Sequence, residues 1–248
     1  MSAISEISEA PTGAHVDKSG DRVRRMFGQI ADRYDLSNHV LSMGVDRYWR
    51  WRTVRQVPPV GSQPILDLCT GTGDLAFAYL GASRNAPVIG ADFCRPMLEV
   101  ALRKKRSSKA GDRLGLVEAD AQSLPFANDS FAVVTVAFGL RNVADTNRGL
   151  AEMVRVCRPG GQIAVLEFSM PTRQPLRGLY RWYFQHVLPR IGQALARNRE
   201  HAYNYLPASV EEFPAGKALV GLLRASGLDD VRFMPLTFGV ATLYVGTK

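Results

Sequence analysis

The fold is decided by residues 64–80, which read PILDLCTGTGDLAFAYL. A short apolar run ends in a turn that contains two glycines, and a helical stretch from Asp74 to Leu80 follows directly. Gly71 and Gly73 allow a sharp turn and let a ligand approach backbone N–H groups at the N-terminus of a helix. We therefore predict that a strand, a ligand-binding turn and a helix open a parallel α/β sheet here.

The alternation of strand and helix continues from this turn to the C-terminus. Apolar runs predict strands over residues 88–92, 114–117, 131–138, 163–168, 231–237 and 240–245. The last two runs are so close in sequence that they must pair antiparallel as a hairpin. We predict a doubly wound, mostly parallel seven-stranded α/β sheet of the Rossmann-like type with a C-terminal antiparallel hairpin.

Helical spacing places a helix before the fifth strand, and the segment Pro159-Gly160-Gly161 is expected to end it. The apolar residues of this helix are Leu150, Met153, Val154 and Cys157.

Two segments lie outside the repeating α/β pattern of a single domain over residues 21–248. Residues 21–57 predict two helices in front of the sheet, and Tyr34 and Asp35 could close over a bound cofactor as part of a lid or simply pack at a helix end. Residues 170–215 form an insertion dense in arginines and aromatic residues. Residues 1–20 lack a sustained period and predict a disordered tail.

Composition narrows the class of protein without naming a partner. The chain carries a formal net charge of +8, which can attract nucleic acid, an anionic membrane surface or an acidic substrate. No apolar run is long enough for a membrane span, and the N-terminus lacks a signal-peptide pattern, so we expect a cytoplasmic protein. Its three cysteines suggest reduced thiols that are buried or half-buried, and no metal-ligand spacing is present.

The glycine turn and the next strand predict an adenosine-type ligand. Asp92 follows Gly71 by 21 positions at a strand end, where a carboxylate can accept hydrogen bonds from two ribose hydroxyls. A dinucleotide would favour a wholly parallel sheet, whereas this chain ends in a hairpin. Asp67 could orient the turn or pair with the amino-acid end of S-adenosylmethionine, and Asp120-Ala121 is placed to meet the adenine edge.

Several motifs resemble those of a known family. Residues 65–74, Asp92, residues 120–126 and residues 158–161 look like the motifs of class I S-adenosylmethionine-dependent methyltransferases. More specifically, the chain resembles the ubiquinone/menaquinone biosynthesis C-methyltransferases, which include the demethylmenaquinone methyltransferases. The segments that carry this closer resemblance are MFGQIADRYD (26–35), Asn38, Leu41-Ser42, RYWR (47–50), FGLRNV (138–143) and EEFP (211–214).

The resemblance implies S-adenosylmethionine as the cofactor, with contacts at Thr72, Asp92, Asp120 and Ala121. Ala137 departs from the pattern, because some relatives carry a serine there that contacts the cofactor. A side-chain hydrogen bond at that position is therefore not available in this chain.

The acceptor implied by the resemblance is a polyprenyl quinol, either 2-demethylmenaquinol or a related benzoquinol. Arg141 and Asn142 directly follow the fourth strand and could orient or stabilise a phenolate, because a positive donor there acts where charge develops. The alternative for Arg141 is an ion pair that shapes the loop. His201 and Tyr203 in the insertion are candidates for the general base.

The chemical class of the acceptor predicts which partners the protein contacts. A polyprenyl quinol resides in a membrane, so we expect transient contact of the protein with the inner face of the cytoplasmic membrane, made by the insertion. The alternative is that the aromatic residues of the insertion are ordinary core. We expect no nucleic-acid partner, although an RNA or small-molecule methyltransferase and a non-catalytic binding module remain rival functions. The sequence leaves a homo-oligomer open.

Overall fold

The computed structural model describes residues 17–108, 111–188, 190–191 and 202–248, and within them seven strands form one sheet. The strands are β1 (Ile65–Leu68), β2 (Val88–Asp92), β3 (Leu114–Glu118), β4 (Phe131–Ala137), β5 (Cys157–Phe168), β6 (Asp229–Leu236) and β7 (Ala241–Thr247). Their order is β3-β2-β1-β4-β5-β7-β6. Strands β1 to β5 are parallel, and β7 runs antiparallel to both β5 and β6. This confirms the predicted sheet and its C-terminal hairpin.

Helices precede the sheet, cover it and form the insertion. They are α1 (Gly20–Ile30), α2 (Tyr34–Leu41), α3 (Val45–Gln56), α4 (Asp74–Ala82), α5 (Arg95–Ser107), α6 (Thr146–Val156), α7 (Leu176–Trp182), α8 (Ala202–Glu212) and α9 (Lys217–Ala225). Helix α7 continues into a π-helical turn over Tyr183–Val187.

The two faces of the sheet bury alternate residues of each central strand, as side chains in a strand must. From β1, Leu66 and Leu68 enter the cluster that contains Leu150 of α6 and Leu219 of α9. Ile65 enters the opposite cluster, which contains residues of α3 and α4. Because both faces are covered, the central strands are apolar almost throughout, which explains why simple apolar runs located them in the sequence.

The helix before β5 ends slightly earlier than predicted, before Cys157, which was expected to be its last apolar position. Helix α6 ends at Val156, and Cys157 is already extended and pairs with Phe131 of β4. Arg158 precedes a proline, which disfavours the helical conformation for that residue. Pro159-Gly160-Gly161 therefore lies inside an irregular first part of β5, where the register with β4 shifts.

The segment before the sheet contains three helices instead of the two predicted. The periodic run from Val23 to Tyr34 is interrupted by a 3₁₀ turn over Ala31–Arg33, so a separate helix, α2, begins at Tyr34. The interruption brings the Phe27 and Tyr34 rings into an edge-to-face contact with centroids 6.0 Å apart. The helical period of the sequence therefore continues across a break that the period itself does not reveal.

Helix α1 packs across the insertion instead of the sheet. Met26 and Ile30 share an apolar cluster with Phe184, Leu188 and Tyr205. The front helices and the insertion thus close together over the carboxyl ends of the parallel strands, where open α/β sheets bind ligands. Among the described residues, no helix combines the length and the hydrophobicity that crossing a bilayer requires.

Candidate active site

The glycine turn is held by carboxylates from two neighbouring strands. Gly71 and Gly73 both have positive φ, of 57° and 88°, which explains the need for glycine. Asp92 Oδ2, at the end of β2, accepts a hydrogen bond from Gly71 N at 2.8 Å. Asp67 Oδ2 accepts from Thr70 Oγ1 at 2.6 Å and from Ala76 N at 3.1 Å. Asp67 therefore orients the turn, one of the two roles expected for it.

Both carboxyl groups are held in a poorly solvated site. Burial raises the pKa of Asp67 to about 7, although hydrogen bonds from Thr70 and Ala76 oppose the shift. Burial likewise raises the pKa of Asp92 to about 6, against the effect of backbone N–H donors that include Gly71 and Cys94. Asp67 Oδ1 is buried and has no hydrogen-bond partner among the described residues. The site therefore retains unused capacity to accept hydrogen bonds or positive charge.

A first cavity, of about 220 Å³, lies beside the turn and will be called the cofactor cavity. Its walls include Gly71, Asp92, Asp120, Ala121, Ala137 and Asn142, from the ends of β1, β2, β3 and β4. Helix α1 contributes Val23 and Phe27 as a further wall. Lys18 and Gly20 also line the cavity, although sequence reasoning assigned them to the tail.

Three of the predicted cofactor residues do not line this cavity: Asp67, Thr72 and Gly73. The Thr72 hydroxyl is instead hydrogen-bonded to Asp35 Oδ1 on α2. Lys104 Nζ, on α5, donates to Asp35 Oδ2 at 2.8 Å and also bonds Asp74. The turn is thereby connected to the front helices, so the predicted contact between Thr72 and a cofactor stays a prediction.

The same charged network continues into α3. Arg50 bridges Asp46, in a close hydrogen bond, and Asp74, with its Nη2 at 3.2 Å from Oδ2. His39 Nδ1 lies 2.7 Å from Asp46 Oδ2. His39, Asp46 and Asp74 are near enough to one another to resemble a metal-ligand set. In this set, however, the carboxylates of Asp46 and Asp74 are both already paired with the positive charge of the Arg50 guanidinium.

A second, larger cavity of about 480 Å³ adjoins the first and will be called the acceptor cavity. Its walls are mainly apolar and aromatic, and they come from the front helices, β5, the insertion and the turn between β6 and β7. Phe27, Tyr34 and Phe138 line both cavities, so these three side chains form the boundary between them.

Arg141 lies in the wall of the acceptor cavity, buried in an ion pair. Its Nη1 is 3.0 Å from Glu167 Oε2 on β5, and its backbone N donates to Glu167 Oε1 at 3.1 Å. Nη1 also bonds the Phe138 carbonyl, and the guanidinium lies 5.3 Å from the Phe168 ring centroid. Its buried Nε has no partner within the described part of the chain. The ion pair that was the alternative prediction for Arg141 is present, together with an unused donor.

Asn142 joins the cofactor cavity to the insertion. Tyr205 Oη, on α8, donates to Asn142 Oδ1 at 3.1 Å. Tyr205 also lines the acceptor cavity, so one side chain of the insertion contacts that cavity and bonds a residue of the cofactor cavity wall. Of the two predicted general bases, His201 lies outside the described residues, and Tyr203 is described only as a position in α8.

Sequence reasoning missed Glu167, Tyr205 and Phe168. Glu167 carried a usable signal, because an acid near the end of an apolar strand must find a partner when it is buried. Tyr205 and Phe168 carried none, since nothing in their local pattern separates a cavity wall from ordinary core.

Comparison with known proteins agrees with the motifs. Residues 15–248 match the ubiE/COQ5 methyltransferase family. A demethylmenaquinone methyltransferase of Thermus thermophilus is 47% identical over 223 residues, which cover 90% of this chain and 100% of that protein. The ubiquinone/menaquinone biosynthesis C-methyltransferase UbiE of Geobacter sp. (strain M21) is 44% identical over 234 residues, covering 94% of this chain and 99% of that one.

A solved structure supports the fold. A SAM-dependent methyltransferase of Thermotoga maritima aligns with a TM-score of 0.60 at 17% identity, covering 90% of this chain and 98% of the other. The family match spans nearly the whole chain, and the glycine turn, Asp92 and the two joined cavities lie within it. The chain therefore belongs to the ubiE/COQ5 methyltransferase family and is an S-adenosylmethionine-dependent methyltransferase.

Proposed function

We propose that this protein transfers a methyl group from S-adenosylmethionine to a ring carbon of a polyprenyl quinol, with 2-demethylmenaquinol as the acceptor and menaquinol as the product. A benzoquinol of the ubiquinone pathway is the alternative acceptor. The observation that carries the proposal is the junction, at Phe27, Tyr34 and Phe138, of two cavities. The wall of the cofactor cavity includes Asp92 and Asp120, whereas the larger acceptor cavity is mainly apolar. A polar cofactor and an apolar acceptor would meet at this boundary.

The residues of the cofactor cavity fit S-adenosylmethionine. Asp92 would accept hydrogen bonds from the ribose hydroxyls, and Asp120 with Ala121 would meet the adenine edge. Gly71 and Gly73 shape the turn, with Thr72 between them. Asp67 does not line the cavity and would act indirectly, by holding the turn through Thr70 and Ala76. When bound, the cofactor supplies an electrophilic methyl group on a sulfonium.

Arg141 acts in favour of a phenolate in the acceptor cavity, whereas burial in the same cavity acts against one. Tyr34 and Tyr205 are phenols in its wall, and burial raises the pKa of both. In each case the positive charge of Arg141 opposes that rise. A quinol hydroxyl is also a phenol, so Arg141 would favour its ionised form in the same way. An ionised hydroxyl makes the ring carbon electron-rich, which methyl transfer requires.

Alignment is the remaining task, because transfer is an in-line displacement that depends on the relative position of carbon, methyl and sulfur. Asn142 lines the cofactor cavity and is held by Tyr205, so it would keep the acceptor ring at the boundary. The carbon that gains the methyl group must then lose its ring proton. His201 and Tyr203 are our proposed acceptors for the phenolic or the ring proton.

We also propose one methyltransferase domain over residues 21–248, with residues 21–57 as a lid over the cofactor. The predicted tail, residues 1–20, is wrong at Lys18 and Gly20, which line the cofactor cavity, and residues 1–16 lie outside the described residues. The lid is supported by the Asp35 contacts with Thr72 and Lys104 and by the α1 side chains in the cavity wall. The insertion over residues 170–215 would receive the acceptor and touch the inner face of the cytoplasmic membrane, where a polyprenyl quinol resides.

The proposed reaction is tested by mass spectrometry of quinols. The purified protein is incubated with S-adenosylmethionine and either demethylmenaquinol or a demethylated benzoquinol, each kept reduced. We expect one methyl group on a ring carbon of the naphthoquinol, and a benzoquinol product would change the acceptor. Cofactor binding with neither product would contradict the proposal and direct attention to RNA or another small acceptor. In the same assay, full activity of both His201→Gln and Tyr203→Phe would remove them as bases.

Affinity for S-adenosylmethionine should depend on pH through Asp92. The ribose hydroxyls bind the ionised carboxylate, and its pKa is about 6 in the free protein. Affinity should therefore be constant above about pH 7 and fall as pH drops through 6, by up to roughly tenfold per pH unit. Calorimetric titration at a series of pH values measures the dissociation constant for S-adenosylmethionine. Asp92→Asn should weaken binding and remove this dependence, whereas Asp112→Asn, at an exposed position, should do neither. A pH-independent wild-type affinity would exclude the assigned ribose contact.

Arg141 should affect turnover more than cofactor binding. Arg141→Lys keeps a positive charge but loses the planar group that bonds both Glu167 and Phe138, so kcat should fall by about 10²-fold. The dissociation constant for S-adenosylmethionine should change less than about threefold, since Arg141 does not line the cofactor cavity. Arg224→Lys, at an exposed position of α9, is the control. Wild-type kcat in Arg141→Lys would leave Arg141 with only a structural role.

The lid should depend on Asp35. Asp35→Asn weakens the contacts with Thr72 and Lys104, so S-adenosylmethionine should dissociate several-fold faster in a stopped-flow measurement. Asp32→Asn is a matched control, because Asp32 lies on the same segment and pairs with Arg103 at an exposed position, where ion pairs contribute little. Equal dissociation rates for the two variants would argue against a lid held by Asp35.

A further inference from the structure

Two turns of this protein expose large apolar side chains in an unfavourable backbone conformation. Met43, between α2 and α3, is 84% exposed and has a φ of 52°. Phe238, between β6 and β7, is 82% exposed and has a φ of 59°. Residues with side chains rarely adopt positive φ, and glycine or asparagine normally occupies such positions. Folding alone does not account for either residue.

The strain is greatest around Phe238. Thr237, Phe238 and Gly239 all have positive φ, of 46°, 59° and 90°. Such conformations persist only where surrounding contacts impose them, and they are concentrated at functional sites. Trp49 Nε1 donates to Thr237 Oγ1 at 2.8 Å, which attaches this turn to α3. The same bond fixes the Phe238 turn against the helix that follows Met43.

Both residues lie at the opening of the acceptor cavity. Met43 and Phe238 line it, and so do Leu179 and Trp182 of α7, which are 63% and 56% exposed. Side chains that line a cavity and are also largely exposed form its mouth. Met43, Leu179, Trp182 and Phe238 will be called the apolar rim. Three segments that are distant in sequence contribute to it, so the rim is a product of the tertiary structure.

The charge near the rim is strongly positive. Residues 168–191, which include Leu179 and Trp182, carry four arginines and no acidic residue. Arg173, Arg177 and Arg190 are exposed, as is Arg181, which pairs with Glu211 of α8. An exposed apolar patch bordered by arginines is typical of a surface that meets anionic lipid.

We propose that the apolar rim inserts into an anionic phospholipid bilayer, with Met43 and Phe238 entering alongside the insertion. The acceptor cavity then opens directly into the lipid. The role of the apolar rim in admitting the acceptor rests on the proposed function. The contact with lipid is inferred from the exposed side chains and the arginines alone. A second copy of this chain is a poorer occupant, because a two-fold contact would place one arginine-rich segment against another.

The test is cosedimentation of the full-length protein with vesicles, without quinol or cofactor. Vesicles of phosphatidylglycerol mixed with phosphatidylethanolamine are compared with vesicles of phosphatidylcholine. We expect binding to the anionic vesicles, reduced about tenfold in the double variant Met43→Gly/Phe238→Gly. Glycine removes both side chains and adopts positive φ without strain, so the thermal unfolding midpoint should remain near that of the wild type.

Val60→Gly is the matched control. Val60 is also an exposed apolar residue directly before a glycine, and it contributes to neither cavity wall in the described part of the chain. The affinity of the Val60→Gly variant for anionic vesicles should equal that of the wild-type protein.

Three results would overturn the proposal. They are no binding of the wild-type protein to anionic vesicles, equal binding by the double variant, and a wild-type dimer that the double variant converts to a monomer in size-exclusion chromatography. The last result would identify a second copy as the occupant. Methylation of a short-tailed quinol in solution tests the proposed function separately, so failure of one can be told from failure of the other.

Discussion

The hydrogen bond from Gly71 N to Asp92 is the interaction on which the site depends. It joins the turn after β1 to the end of β2. Asp67, on β1, holds the same turn by accepting a hydrogen bond from Thr70. Both carboxyl groups are buried, and both have raised pKa values as a result. Charge is unfavourable there in the free protein. A ligand that brings hydroxyl donors and a positive charge relieves that cost, so the turn is built for a cofactor.

From this turn, the order of the parallel strands brings the remaining site residues to one edge. Arg141 follows β4, and Glu167 lies near the end of the neighbouring β5, so their ion pair forms across adjacent strands. Burial makes this pair rigid, because neither charge can separate without losing its partner in a dry site. Arg141 is thereby fixed in the wall of the acceptor cavity, where its charge acts on the phenols of Tyr34 and Tyr205.

Local patterns predicted some features well and others poorly. The bounds of β2 coincide with its apolar run because that strand is covered on both faces. The Pro-Gly-Gly segment, by contrast, lies in a strand and not at a helix end, since pairing with β4 extends the chain from Cys157. Tyr34 shared a helical period with Val23, yet its contact with Phe27 required a break. In the first case a contact distant in sequence decided the outcome, and in the second a local break in the helix did.

The sequence by itself determined the family, the class of fold and the cofactor, because the glycine turn and the acid that follows it are local features whose spacing carries the chemistry. It also indicated Arg141 and Asn142, which directly follow a strand. Only the tertiary structure decided what they contact. The Glu167 partner, the Tyr205 bond and the apolar rim each join segments far apart in the chain, and no local pattern records which distant side chains a packed sheet and its lid bring together.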